Sequence, residues 1–232
     1  MKAAIMQPYF FPYIGYFQLI RSVDLFIVYD NIKYTKKGWI NRNRILQNGK
    51  DATFSLPLKQ GSDHLDIRDR ELAIDFSADQ LLKKITGAYR KAPFFVQTFK
   101  LIENILQNKN QNLFQFIHES IIKTCAHLEI QTEIRVSSEI ETLPDLKHQK
   151  RVIALCKTVN ATTYINAIGG LDLYSKEEFK DQGVELKFIR SLPFQYPQFD
   201  ATFVPWLSII DVMMFNSPET IQKYLHEGYE LI

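Results

Sequence analysis

The chain has 232 residues, 46% hydrophobic and 23% charged, the balance of an ordinary soluble globular protein long enough to bury a substantial core. Its formal net charge of +2, from 28 Lys and Arg against 26 Asp and Glu, excludes a general electrostatic attraction to nucleic acid or a membrane surface. No apolar run approaches the roughly 20 residues of a spanning helix, no leader is expected ahead of the first strand, and Cys125 and Cys156 sit far apart in helical patterns, as reduced core thiols of a cytoplasmic protein would.

Ala3-Ala4-Ile5-Met6 reads as a strand, Gln7 to Gly15 as an aromatic loop braced by Pro8 and Pro12, Tyr16 to Val23 as a helix, and Leu25 to Tyr29 as a second strand. Ligands of α/β proteins bind in loops at the carboxyl ends of parallel strands, which makes Gln7, Tyr9 and Tyr16 candidate binding residues. Asp30 ends the second strand, a position from which a carboxylate can accept a proton. The run from Asn31 to Arg44 carries Lys33, Lys36, Lys37, Arg42 and Arg44 with Tyr34 and Trp39. A solvated loop accounts for the charges, but not for the interleaved Trp39, Asn41 and Asn43; with Arg42 as a phosphate fork these join the candidates. Asn48-Gly49 predicts a hairpin turn between Arg44-Ile45-Leu46 and Ala52 to Leu56. A short strand is expected within Ile67 to Ile74.

Residues 77–128 have helical periodicity throughout. Ser77 with Gln80 forms a capping box, Pro93 follows a first helix, and the polar break Asn108 to Asn112 separates a second from a third. His118 and His127 on the third helix project about 180° apart and cannot share a metal. The organisation expected is an amino-terminal part of an α/β core at 1–76, a helical subdomain at 77–130, and the rest of the core with closing helices at 131–232. In that last part a strand spans Ile134 to Ser137, Pro144 and Asp145 open a helix running to about Val159, and Thr163 to Asn166 is a strand. Asn166, Gly169 and Gly170 then form a loop that could line a ligand with backbone. Gly183 stops a helix near Lys176 to Gln182 before a strand from Val184 to Ile189. Gln198 lies in a Pro- and Tyr-rich connection, and one amphipathic helix is expected over Val212 to Leu225. Asp211 among its hydrophobes either faces solvent, the default expectation, or answers a specific partner, because burying a carboxylate is costly without one. The fold class is therefore α/β, with a Rossmann-like parallel-sheet core and a helical subdomain in the middle of the chain.

No P-loop, GxGxxG, zinc-ligand spacing or nucleophile elbow is present, and Cys156 lies among core residues. The aromatics, amides and basic groups suit orienting a sugar nucleotide, and no cofactor is assigned. The segments Gln7 to Phe17, Gly38 to Ile45, Tyr164 through Gly170, and Pro205 to Asp211 together resemble the WbqC-like family over nearly the whole chain. That resemblance implies a bacterial cytoplasmic protein of O-antigen or other surface-polysaccharide biosynthesis, a transferase placing an acyl or aminoacyl group on an amino sugar. The resemblance itself assigns no catalytic residue; from the residues, Asp30 is the candidate base and Arg42 the candidate phosphate ligand, and the expected partner is a nucleotide sugar. The opening unit alone is also similar to the start of the HxGH nucleotidyltransferases, with Tyr16 where they carry a histidine. Tyrosine lacks imidazolium charge, so that departure counts against the usual adenylyl transfer while leaving the fold and a nucleotide cradle open. A non-catalytic binding protein and a divergent nucleotidyltransferase are the alternatives.

Overall fold

The computed structural model describes residues 1–142, 146–199 and 202–232. Its centre is a six-stranded sheet in which β1 (Lys2–Met6) pairs in parallel with β2 (Leu25–Val28) through the register Ala3 to Leu25, Met6 to Val28. Both strands are almost continuously apolar and buried, the pattern of strands covered on two faces. The helix α1 (Ile14–Arg21) joins them. The hairpin forms from β3 (Arg42–Gln47) and β4 (Lys50–Ser55), with Asn48 at φ 52° and Gly49 at φ 72°, as a two-residue turn requires.

Three helices follow: α2 (Ala78–Tyr89), capped by the Ser77 hydroxyl accepting from the Gln80 amide, then α3 (Phe95–Leu106) and α4 (Leu113–His127). After α4, β5 (Glu133–Val136) pairs outside β2. The helix α5 (His148–Thr158) crosses over to β6 (Thr163–Ala167), which pairs on the far side of β1. Then come α6 (Lys176–Asp181), β7 (Glu185–Ser191), α7 (Ile209–Phe215), α8 (Pro218–Glu227) and an antiparallel edge strand, β8 (Tyr229–Leu231). The sheet order is β5-β2-β1-β6-β7-β8, so the winding reverses between β1 and β6. The crevice outside the carboxyl ends of those two strands is the place where such sheets take ligands.

The two faces of the sheet bury separate cores. Ala3, Ile5 and Tyr164 pack with α5 and α6, while Ala4, Phe26 and Ile165 share one continuous cluster with α1, the hairpin, α2, α3, α4, α7 and α8.

Three expectations are corrected. The stretch from Ile67 is a 3-10 turn at Ile67–Asp69 with isolated bridges rather than a strand. Ile67 and Leu72 are both buried in the same cluster, and residues five apart on a strand would face opposite ways. The closing helix is two helices, because Asn216 is extended at φ −123° and Pro218, at the first turn of α8, cannot continue α7. Asp211 is 0% exposed rather than solvent-facing, for a reason given below. The expected helix start at Pro144 and Asp145 lies outside the described residues.

Gly15 allows the first loop to fold back on α1. A Cβ there would sit 2.3 Å from the Tyr13 ring and 2.4 Å from the Ser191 hydroxyl. We expect Gly15→Ala to lower stability by about 1–3 kcal/mol, the range for overpacking, seen as a lower urea midpoint with an unchanged slope.

Candidate functional site

The loop after β1 is held by groups distant in sequence. Phe10 donates its amide to the Ile40 carbonyl at 3.0 Å. Asn43 Nδ2 donates to the carbonyls of Phe10 and Phe11 at 3.2 and 2.8 Å, and the Ser208 hydroxyl donates to the Phe11 carbonyl at 2.7 Å. The Ile209 amide reaches the Pro12 carbonyl at 2.8 Å. Phe11 is thereby fixed at φ 43°, a left-handed conformation uncommon for a bulky residue. The Phe10 and Phe11 side chains are both buried in the core, while Tyr9 and Tyr13 stay half-buried outside it.

What remains outside is a cleft of about 250 Å³. Tyr9, Pro12 and Tyr13 line it from the loop, Trp39, Asn43 and Arg44 from β3 and its approach, and Trp206 from the segment before α7. Trp39 and Trp206 are 39% and 53% exposed, and the Tyr13 ring meets Trp206 edge-on with centroids 6.0 Å apart. Trp206 is itself at φ 59°, with its carbonyl accepting from Arg44 Nη2 at 3.2 Å. Arg44 Nη1 pairs with Asp51 at 3.2 Å, and its Nε is buried with no partner among the described residues. The guanidinium carbons of Arg44 and Arg42 lie 5.4 and 5.7 Å from the Trp39 ring centre.

The lining is rich in hydrogen-bond donors and holds no carboxylate among the described residues. The carbonyls of Phe10, Phe11, Pro12 and Trp206 are occupied, and the Asn43 amide is used on Phe10, Phe11 and the Arg44 amide. Among the described residues, the lining also carries the Tyr9 and Tyr13 hydroxyls, which donate and accept, and two indole N–H groups, while Arg44 Nε is buried without a partner. Burial raises the pKa of Tyr13, and burial followed by the nearby Tyr13 raises that of Tyr9, so both are neutral donors at physiological pH. A second cation about 6 Å from the guanidinium would be repelled by about 3 kcal/mol at an effective dielectric of 20, more than the ~0.5–1 kcal/mol one exposed cation–π contact returns. Asp51, 3.2 Å from Arg44 Nη1, is 47% exposed and lies off the lining, so it offsets the guanidinium charge only in part.

The other sequence-derived residues fall into three groups. Arg42, Asn41 and Tyr16 hold backbone. Arg42 closes its own loop by donating to the Gly38 and Lys37 carbonyls, and Asn41 links the Tyr34 hydroxyl to the Leu56 carbonyl. Tyr16 is 1% exposed and donates to the Gln7 carbonyl at 2.9 Å. Asp30 and Gln198 are also buried and engaged. Asp30 accepts from the Ser137 hydroxyl and from both the amide and the hydroxyl of Ser138. Gln198 exchanges hydrogen bonds with the Val204 backbone and donates to Asp211. Asn166, Gly169 and Gly170 stand apart at the end of β6, where a Cβ on Gly170 would come within 2.3 Å of Asn166 Nδ2. The structure thus joins Tyr9, Trp39 and Asn43 in one cleft and adds Pro12, Tyr13, Arg44 and Trp206. No cluster of three His, Cys, Asp or Glu side chains suited to a metal occurs among the described residues, and burial pushes both Cys125 and Cys156 up to about 12. No helix among the described residues is long and apolar enough to cross a membrane.

Asp211 anchors the Trp206 segment. Its carboxylate accepts from the Tyr89 and Tyr196 hydroxyls at 2.7 Å each and from Gln198 Nε2 at 2.6 Å. Burial raises its pKa even though all three donors favour the charged form.

A model described as the WbqC-like protein family matches residues 7–223. The chain is 29% identical over 227 residues to the uncharacterized protein Rv1507c of Mycobacterium tuberculosis, covering 97% of each chain. No solved structure matches it.

A carboxyl whose folded pKa is raised binds more protons folded than unfolded between the two values, so its contribution is complete below the ordinary 3.8 and is lost as pH climbs toward the folded value. Urea titrations over a pH series should therefore show the wild type losing stability relative to Asp211→Asn as pH rises through that window.

Proposed function

The chain belongs to the WbqC-like protein family, and we propose that it is a group-transfer enzyme of surface-polysaccharide biosynthesis that holds a nucleotide-linked amino sugar in the aromatic cleft and places an acyl or aminoacyl group on its nitrogen. The observation that carries this reading is the convergence of Tyr9, Tyr13, Trp39 and Trp206 with Arg44 around one opening. Aromatic faces cover the C–H surface of a sugar ring, while phenol, indole and guanidinium donors meet hydroxyl, carbonyl or phosphate oxygens.

The size of the cleft supports a division of labour. At about 250 Å³ it falls below the ~300–1,000 Å³ typical of sites that enclose a drug-sized ligand, so it takes the sugar and leaves the nucleotide to extend along the carboxyl edge of the sheet. Gln7, Asn166, Gly169 and Gly170 stand on that edge. In the transfer, the amine nitrogen forms a bond to the acyl carbon, the bond from that carbon to the donor breaks, the leaving group keeps the electron pair, and the amine proton passes to water. Holding the two reactants in line supplies most of the acceleration. Asp30, with three hydrogen bonds already accepted, is assigned to holding the Ser137–Glu139 turn rather than to accepting that proton.

One observation favours binding without turnover: among the described residues the cleft lining contains no carboxylate and no imidazole. Mass spectrometry of amino-sugar nucleotides incubated with acyl and aminoacyl donors separates the two readings. A product heavier by the acyl group supports transfer, and calorimetric binding with no mass change supports the binding protein. Trp39→Ala and Trp206→Ala should each weaken nucleotide-sugar binding by roughly tenfold, the order of one lost stacking contact, with little change in urea midpoint. Unchanged affinity in both variants would move the ligand out of this cleft.

A further inference from the structure

The cleft has an electrostatic preference that a sugar nitrogen must satisfy. Around Arg44, the charged and titratable groups are Asp51 across the hairpin, Arg42 on the same face of β3, and the neutral phenols of Tyr9 and Tyr13 from the first loop. The segment before α7 contributes the Trp206 carbonyl, which Arg44 itself occupies. An ammonium entering this space meets a fixed cation and finds no anion among the described lining residues. Aromatic rings alone would welcome it, since four of them around a small opening resemble a cage for cations. Here, however, the Trp39 ring already carries two guanidinium groups of the protein.

We propose that the cleft accepts the sugar only with its nitrogen uncharged, as a free amine or an N-acyl amide, and that Arg44 is the residue that enforces this. The inference rests on the reading of the cleft as the sugar site, and it deepens that reading. An acyl acceptor must attack through an unprotonated nitrogen, and a neighbouring positive charge favours the neutral amine by disfavouring its protonated form. The donor-rich lining serves the second form as well, because an N-acyl oxygen is an acceptor that a Tyr9 or Tyr13 hydroxyl or an indole N–H can meet. Arg44 thus selects the nucleophilic form of the substrate at the binding step by excluding the protonated state, and the proton that the nitrogen loses on transfer passes to water. Its bond to the Trp206 carbonyl keeps the charge in register with the aromatic wall.

Calorimetry on the full chain with a matched pair of probes, uridine-diphosphate glucosamine and its N-acetyl counterpart, tests this between about pH 6 and about pH 9, across the range where a sugar ammonium titrates. The N-acetyl sugar should bind with a constant Kd. The amino sugar should weaken by about tenfold or more as pH falls and its nitrogen protonates. Arg44→Gln should remove most of that pH dependence while the N-acetyl sugar keeps its flat profile, and Asp51→Asn, which leaves the guanidinium uncompensated, should steepen it. Should Arg44→Gln fail to fold by circular dichroism, Asp51→Asn decides, and an unaltered profile there refutes the role of Arg44. Amino-sugar binding that is equal or tighter at low pH overturns the proposal in favour of a cation-accepting cage. Binding of neither probe removes the sugar site itself, and the inference falls with it, an outcome distinct from binding without discrimination.

Discussion

The carbonyl of Phe11 is the constraint on which the site depends. It accepts hydrogen bonds from Asn43 on the hairpin and from Ser208 ahead of α7, and no single stretch of chain could supply both. Buried backbone acceptors must be satisfied, so the loop, the hairpin and the carboxyl-terminal segment reach their places together. The left-handed turn at Phe11 inverts the loop, sending Phe10 and Phe11 inward and leaving Tyr9 and Tyr13 partly exposed and Pro12 buried. Once the segment is docked, with the Ser208 amide on the Arg44 carbonyl at 2.9 Å, Trp206 joins Trp39 and Arg44 in lining one cleft. Backbone strain of this kind persists where the surroundings hold it, and such positions gather at binding sites.

Asp30 and Asp211 obey a second rule. Each is buried and answered by hydroxyl, amide or backbone donors rather than by a cation. Neutral donors make a weaker answer to a carboxylate than a guanidinium does, which is why burial prevails at Asp211 and raises its pKa. The gain is positional: Asp30 ties the end of β2 to the turn after β5, and Asp211 ties α2, through Tyr89, to the segment bearing Tyr196 and Gln198. The protein's cations are deployed elsewhere, with Arg42 closing a loop and Arg44 at the cleft.

Local features were legible in the amino-acid order because their causes are local. Asn48-Gly49 dictates a hairpin turn wherever it sits between strands, Ser77 caps whatever helix follows, and the apolar runs at Ala3 and Leu25 can only be buried strands. The parallel-sheet core followed from the alternation of such elements, whereas the strand order, set by contacts far apart in the chain, did not. Arg44 was not separable from Arg42, since two arginines at i and i+2 share a face of β3 and differ only in what lies beyond them. Arg42 finds the Lys37 and Gly38 carbonyls, whereas Arg44 finds a segment more than 160 residues further along the chain. Asp211 was misread for the same reason. The Tyr89 and Tyr196 hydroxyls that make its burial tolerable come from other elements, and no periodicity announces them. Trp206 stood within a quoted motif, yet its role required knowing that the first loop and the β3 approach arrive on either side of it.

Both tryptophans of the chain, Trp39 and Trp206, line the cleft, and the sequence contains two in all. Intrinsic indole fluorescence therefore reports on this opening and on no other part of the molecule. An unfolding curve followed at those wavelengths records the loosening of the cleft walls, and it coincides with a far-ultraviolet curve only if the site and the sheet come apart as one unit. The protein carries its own spectroscopic probe, placed where a ligand would perturb it.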